Sequence, residues 1–230
     1  MNYTLVTTRT RLLLTIVVLA LSVGAAANGH GGEQGFALSV RAGIAVPGGD
    51  VDGEPNSKLS DGIEQAVPLQ LEGTYGLTSV PLELGLFAGY GIGTKGTQLQ
   101  DSTGSIAARS YGALLNYVYS SDTSSRKWLG VFVGKDDLLF SKSTNGVDVS
   151  STISGVQAGL GVGAEWSLGS VLSVGPFASV AVGQYQSLTK TASGTDTSSG
   201  TYVSYTKSED AVNKATHEWL SFGLRGRFKF

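Results

Sequence analysis

Five charged residues stand inside stretches where apolar and small side chains alternate: Arg41, Glu72, Glu83, Glu165 and Arg225. Successive side chains of a strand point to opposite faces, so each of these groups rides on the face opposite the apolar one. Two guanidiniums and three carboxylates at a similar depth are expected to pair, bridging the interior and plugging it. The alternative is five separately hydrated charges, which a narrow interior disfavours because an unpaired buried ion costs several kcal/mol. Other candidate constellations reduce to simpler readings. Gly91-Ile-Gly93-Thr-Lys-Gly96 has the spacing of a dinucleotide fingerprint, but no helix follows it and no βαβ unit surrounds it, so these glycines belong to a strand entering a loop. Asp50, Asp52, Glu54, Asn56 and Asp61 resemble a calcium loop in composition. Pro55 stands where that turn needs glycine, which leaves a solvated acidic loop. His217 is the one histidine of the patterned region and reads as a polar residue at its rim. No catalytic centre, cofactor site or metal site is expected.

The elements that must position the charges come from a chain of 230 residues with 33 glycines, 15% charged residues and no cysteine. Glycine is about twice its usual abundance. Without cysteine there is no disulfide framework and no thiolate nucleophile or metal ligand. A net charge of −2 supplies no basic field for nucleic acid. Arg9 and Arg11 precede an apolar run from Leu12 to Val23 and then Gly24-Ala25-Ala26-Ala27. That run is too short for the roughly 20 residues of a spanning helix, and its flanks are those of a secretory signal peptide. The expected division is a signal peptide over 1–27, cleaved after Ala27, a short tail over 28–34, and one domain over 35–230.

That domain reads in period two through eight segments. The apolar faces carry Phe36 to Val46, then Val67, Leu69, Leu71 and Tyr75, then Leu82 to Ile92. They continue with Tyr111 to Tyr119, Leu129 to Val133, Val156 to Leu168, Leu172 to Val182, and Leu220 to Phe230. The opposite faces hold mostly glycine and serine plus the five charges. In the fifth segment Lys135-Asp136-Asp137 breaks the alternation, which predicts a bulge or an early exit from the apolar layer. Strict alternation without a 3.6-residue period predicts strands throughout.

Connections alternate in length. Those over 47–63, 95–104, 141–152 and 187–214 are long and rich in Gly, Ser, Thr and Asp, whereas those near 77–80, 120–127 and 169–171 are tight. The tract 187–208, with Tyr202 and Tyr205, reads as a solvated loop. A soluble eight-stranded barrel has the same period, but its wet face carries many charges; here the polar face suits a narrow lumen. Aromatics gather at the short-turn end (Tyr75, Tyr117, Tyr119, Trp128, Trp166, Phe228 and Phe230), as an interfacial girdle requires. The expected fold is all-β: an eight-stranded antiparallel up-and-down transmembrane β-barrel, closed between its first and last strands.

The whole domain resembles the small eight-stranded outer-membrane β-barrel proteins of Gram-negative bacteria, of the OmpA, OmpX and OmpW type. The final segment, Leu220-Ser-Phe-Gly-Leu-Arg-Gly-Arg-Phe-Lys-Phe230, is similar to the family's assembly signal, with Phe228 and Phe230 as its anchors. The resemblance implies residence in the bacterial outer membrane among lipid and lipopolysaccharide, and insertion by the outer-membrane assembly machinery. It implies no single activity, since the family holds structural proteins, adhesins, narrow channels and lipid-modifying enzymes. A non-catalytic barrel with surface loops and a plugged polar lumen is the leading expectation. A narrow pore or a channel for a small apolar solute is second. The third is a lipid A-modifying enzyme, because lipid A deacylases use a His and a Ser on such a barrel and His217 and Ser221 share a face; none of that family's local signature is present.

Overall fold

The computed structural model describes residues 35–50, 58–78, 80–96, 104–121, 124–210 and 216–230. The expected signal peptide, the tail, and Asp52, Glu54 and Asn56 of the acidic loop lie outside the described residues. The strands are β1 (Gly35–Gly49), β2 (Ile63–Gly76), β3 (Leu82–Lys95), β4 (Gly104–Ser121), β5 (Ser125–Thr144), β6 (Val147–Ser167), β7 (Leu172–Thr195), β8 (Tyr202–Asp210) and β9 (Thr216–Lys229). A one-turn helix, α1 (Leu59–Gly62), precedes β2. From β1 to β7 each strand pairs antiparallel with the next, and β9 pairs with both β7 and β1. Eight strands therefore close a ring, with β8 outside it.

The register sets the geometry of that ring. From Val40, one path of paired residues runs through Leu71, Ala88 and Tyr111 to Lys135 on β5. The other runs through Gly226, Val174 and Trp166 to Ser125 on the same strand, ten residues away. A stagger of that size inclines eight strands by about 40° and leaves an interior that side chains fill. Outward positions form the apolar wall: Leu86 is 70% exposed, and Leu69, Ile92, Val133 and Leu224 are likewise exposed. Inward positions on the same strands are buried or half-buried.

Three expectations are corrected. Lys135-Asp136-Asp137 causes no bulge in β5; these residues pair in unbroken register with Tyr111, Ser110 and Arg109 on one side and Val156, Gly155 and Ser154 on the other. Parity simply continues, turning Asp136 inward. The stretch 141–152 is no loop but a hairpin paired out to Thr144 and Val147, closed by Asn145 (φ 51°) and Gly146 (φ 77°). Two positive φ values are what an Asn-Gly turn of type I′ supplies. The tract 187–214 is also largely paired. The lower part of β7 pairs with β9, while Ser187–Thr195 pairs with β8. The upper parts of β5, β6 and β7 and the whole of β8 thus form a sheet rising beyond the ring.

The wall assignment gives a direct test on β6. Leu160→Arg places a cation on the apolar wall and is expected to cost roughly 2–4 kcal/mol near the bilayer midplane. Gly161→Ser is expected to be mild, since an added Cβ meets Trp128 and Ser179 at 3.4 Å and 3.6 Å. Urea titrations of both variants folded in lipid vesicles check this; greater damage from Gly161→Ser would reverse the inside and outside faces.

Candidate functional site: the ionic layer and the chamber above it

Inward parity brings charges from six strands to one level near the short turns. Arg41 comes from β1, Glu72 from β2, Glu83 from β3, Arg126 from β5, Glu165 from β6, and Arg225 and Arg227 from β9. Their exposures run from 0% at Glu72 and Arg225 to 7% at Arg41. Arg41 Nε lies 2.5 Å from Glu72 Oε1. Arg225 reaches Glu72 Oε2 with Nε at 3.0 Å and Nη2 at 2.8 Å, and pairs with Glu165 through Nη1. Arg126 lies 2.5 Å from Glu83 Oε2 and 3.2 Å from Glu165 Oε2, while Arg227 reaches Glu83 Oε1 at 2.9 Å. Each carboxylate thus bridges two guanidiniums, and the set spans the lumen from wall to wall.

Neutral groups complete the layer. Trp128, which is 1% exposed, projects inward from β5 rather than joining an outer girdle, a correction to its expected place. Its Nε1 donates to Glu165 Oε1 at 2.9 Å. Its ring lies 4.7 Å from the Arg41 guanidinium and 4.9 Å from that of Arg225. One indole therefore serves a carboxylate by hydrogen bonding and two cations through its π face. Gly163 leaves the space for that ring: a Cβ there would stand 2.6 Å from Trp128 Cζ2. Gln70 Nε2 donates to Glu72 Oε1 at 2.8 Å.

All five residues expected at one level are in this layer: Arg41, Glu72, Glu83, Glu165 and Arg225. Arg126, Arg227 and Trp128 are additions to the expected network. Arg126 is hidden in the sequence because 120–127 reads as a tight turn, although it stands two residues before Trp128 and so shares its face. Phe228 and Phe230 lie elsewhere, on the outer wall at the end of β9, 41% and 78% exposed. The Phe230 ring sits 5.9 Å from that of Phe36 on β1.

The upper lumen is apolar, which the glycine and serine of the inward face do not suggest. Ala45, Leu59, Ile63, Ala66, Ile106, Leu138, Ala181, Tyr185 and Trp219 make one buried cluster, with Leu59 supplied by α1. His217 is inside this cluster, fully buried rather than at the rim. Its Nε2 lies 3.1 Å from Asp136 Oδ2, and its ring stacks on Tyr185 at 3.9 Å. Between the apolar cluster and the ionic layer is a chamber of about 100 Å³, lined by Gln70, Ser110, Asp136, Gln157, Ser179 and Ser221 together with Phe87, Phe132 and Trp219. Ser221 thus faces the chamber, two inward positions from His217. Among the described residues no group of three His, Cys, Asp or Glu could hold a metal.

The ionic layer predicts a large effect of removing its central cation. Arg225→Ala leaves Glu72 and Glu165 each short of a partner in a buried site, which is expected to cost about 3–5 kcal/mol. Urea unfolding in vesicles, followed by tryptophan fluorescence, checks this; a loss below about 1 kcal/mol, the scale of an exposed pair, would contradict it.

Neither a family model nor a curated protein matches the chain. Solved structures do. Neisserial surface protein A (NspA) superposes with a TM-score of 0.52 at 12% identity, over 85% of this chain and 97% of its own. A major outer membrane protein from Thermus thermophilus superposes with a TM-score of 0.53 at 16% identity, over 85% of this chain and 99% of its own. At such identities the likeness is one of fold, and the fold of this chain is that of the small outer-membrane β-barrels.

Proposed function

We propose that the chain is an exported, non-catalytic barrel of the bacterial outer membrane whose lumen is closed by the ionic layer and whose upper sheet faces the outside. The observation that carries this reading is the interior. Seven buried charges and Trp128 fill the lower lumen, and an apolar cluster capped by α1 fills the upper. A catalytic His–Ser pair finds little support, because Ser221 and His217 stand four residues apart on β9, about 13 Å at roughly 3.3 Å per residue, beyond hydrogen-bond reach.

A second reading, a narrow pore for a small solute, draws on the chamber between the two plugs. Planar-bilayer recording separates the two. The wild type is expected to show little or no steady conductance. Arg41→Ala, which removes a partner of Glu72 and one of the cations over Trp128, is expected to raise leak events or lower stability. A large open-channel conductance in the wild type, unchanged by Arg41→Ala, would favour the pore.

The same reading includes insertion by the outer-membrane assembly machinery through the last strand. Phe230→Ser is expected to lower the yield of heat-modifiable, folded protein in outer-membrane fractions while leaving export intact. Equal folded yields from variant and wild type would remove Phe230 from that role.

A further inference from the structure

The chamber between the ionic layer and the apolar cluster has a lining that the barrel itself does not satisfy. One row of paired residues runs from Gln70 on β2 through Gly89 and Ser110 to Asp136 on β5. Across the chamber Ser179 of β7 pairs with Ser221 of β9, and Gln157 reaches in from β6. Gly89 keeps the row open, since a Cβ there would stand 2.8 Å from Ser110 Oγ and 3.7 Å from Gln70 Oε1. Gln70 donates Nε2 to Glu72 in the ionic layer, which leaves its Oε1 for the chamber. Among the described residues, Ser110, Gln157, Ser179 and Ser221 have no side-chain hydrogen-bond partner, although Gln157 is only 8% exposed. Buried polar groups are ordinarily hydrogen-bonded, so this lining is complete only with a polar occupant.

Charge and size select the occupant. Asp136 is the one charged residue of the lining. His217 Nε2 stands 3.1 Å from its Oδ2, and an imidazole is ordinarily uncharged at neutral pH. The buried Nδ1 of His217 has no partner among the described residues, so nothing there holds a second proton. The carboxylate charge is therefore not cancelled by its neighbour, and an uncompensated buried charge is costly. The guanidiniums below are turned to Glu72, Glu83 and Glu165. The remaining polar liners are hydroxyls and amides, each able to turn an oxygen to a cation. The volume of about 100 Å³ is about two-thirds of a cavity of about 150 Å³ that holds benzene, which limits the occupant to about four non-hydrogen atoms. Phe87 and Phe132, edge to face at 5.8 Å, add apolar and π surface for an alkyl ammonium.

We propose that the chamber binds a small primary amino alcohol as its ammonium, of the size of ethanolamine. The ammonium pairs with Asp136 and shares its N–H groups with Gln70 Oε1 and Ser110, while the methylenes lie against Phe87 and Phe132. The hydroxyl end meets Ser179, Ser221 and Gln157 across the chamber. A neutral diol leaves the carboxylate without a counter-charge, and a bare inorganic ion leaves the far wall without a partner. The proposal goes beyond the closed-barrel reading and needs only the ring, since equilibrium binding is the same whether or not the lumen conducts.

Equilibrium dialysis of the full chain, folded in a nonionic detergent at neutral pH, measures the binding of radiolabelled ethanolamine. Heat-modifiable mobility on gels shows which variants are folded. The wild type is expected to bind at a single saturable site. Asp136→Asn, which keeps the shape and removes the charge, is expected to bind at least about tenfold more weakly. Ser179→Leu, which fills the chamber and leaves Asp136 and His217 in place, is expected to lose binding. Glu209→Gln, on exposed β8, is expected to bind as the wild type does. Ethylene glycol, the neutral isostere, and potassium ion are each expected to compete at least about tenfold more weakly than unlabelled ethanolamine. The absence of saturable binding by the folded wild type would overturn the proposal, as would unchanged binding by folded Asp136→Asn. Should that variant fail to fold, full affinity in folded Ser179→Leu would overturn it by placing the ligand outside the chamber. Competition by ethylene glycol or by potassium equal to that by ethanolamine would overturn it as well, assigning the chamber to a neutral solute or to an inorganic cation.

Discussion

Lipid offers no partner for a backbone N–H or C=O, so every strand inside the bilayer must be paired on both sides. The pairing of β1 with β9 meets that demand, and the remaining architecture depends on it. Closing eight strands with a stagger of ten residues fixes the inclination of the wall and the bore of the lumen. A bore of that width decides what inward side chains can do. They cannot remain apart in water, and so they meet.

The ionic layer shows the consequence. Burying one guanidinium or carboxylate alone costs several kcal/mol, and pairing recovers that only when the remaining hydrogen-bonding positions are also met. Here each carboxylate receives more than one guanidinium, and Trp128 adds a donor for Glu165 and a π face for Arg41 and Arg225. Four guanidiniums stand against three carboxylates. Such a cluster contributes less to raw stability than an equal volume of hydrocarbon would, but each of its members requires the others. It ties β1, β2, β3, β5, β6 and β9 across the lumen, contacts that no strand ladder provides.

Above that layer the solution changes from charge to hydrocarbon. Ile106, Leu138, Tyr185 and Trp219 fill the bore, and α1 lowers Leu59 into its mouth. His217 and Asp136 are embedded there, each supplying the polar contact that the other has lost to burial. The outer wall is governed by the opposite rule: apolar through the bilayer and charged at its margins, where Lys127, Lys135 and Arg109 stand.

Much of this is legible in the chain because a strand's side-chain period is two: once the apolar face of a strand is known, the direction of every other residue on it follows. That is why Arg41, Glu72, Glu83, Glu165 and Arg225 can be turned inward from sequence alone, and counting residues from the short turns sets them at a similar depth. What parity cannot supply is where a strand starts and which strands face one another. Arg126 is lost to a turn in the sequence because β5 begins earlier than its apolar alternation does. Trp128 reads as outward only when its aromatic type is set above parity; Leu129, Val131 and Val133 fix the opposite face, so alternation turns it inward onto the guanidiniums. The tract 187–214 is too poor in apolar residues to announce strands, and β8 forms there because β7 offers it a ladder. The meeting of Asp136 with His217 joins positions 81 residues apart on strands that are not neighbours. Only the closed, narrow ring brings them together, because contact across a lumen depends on its bore and register, which are properties of the assembled sheet.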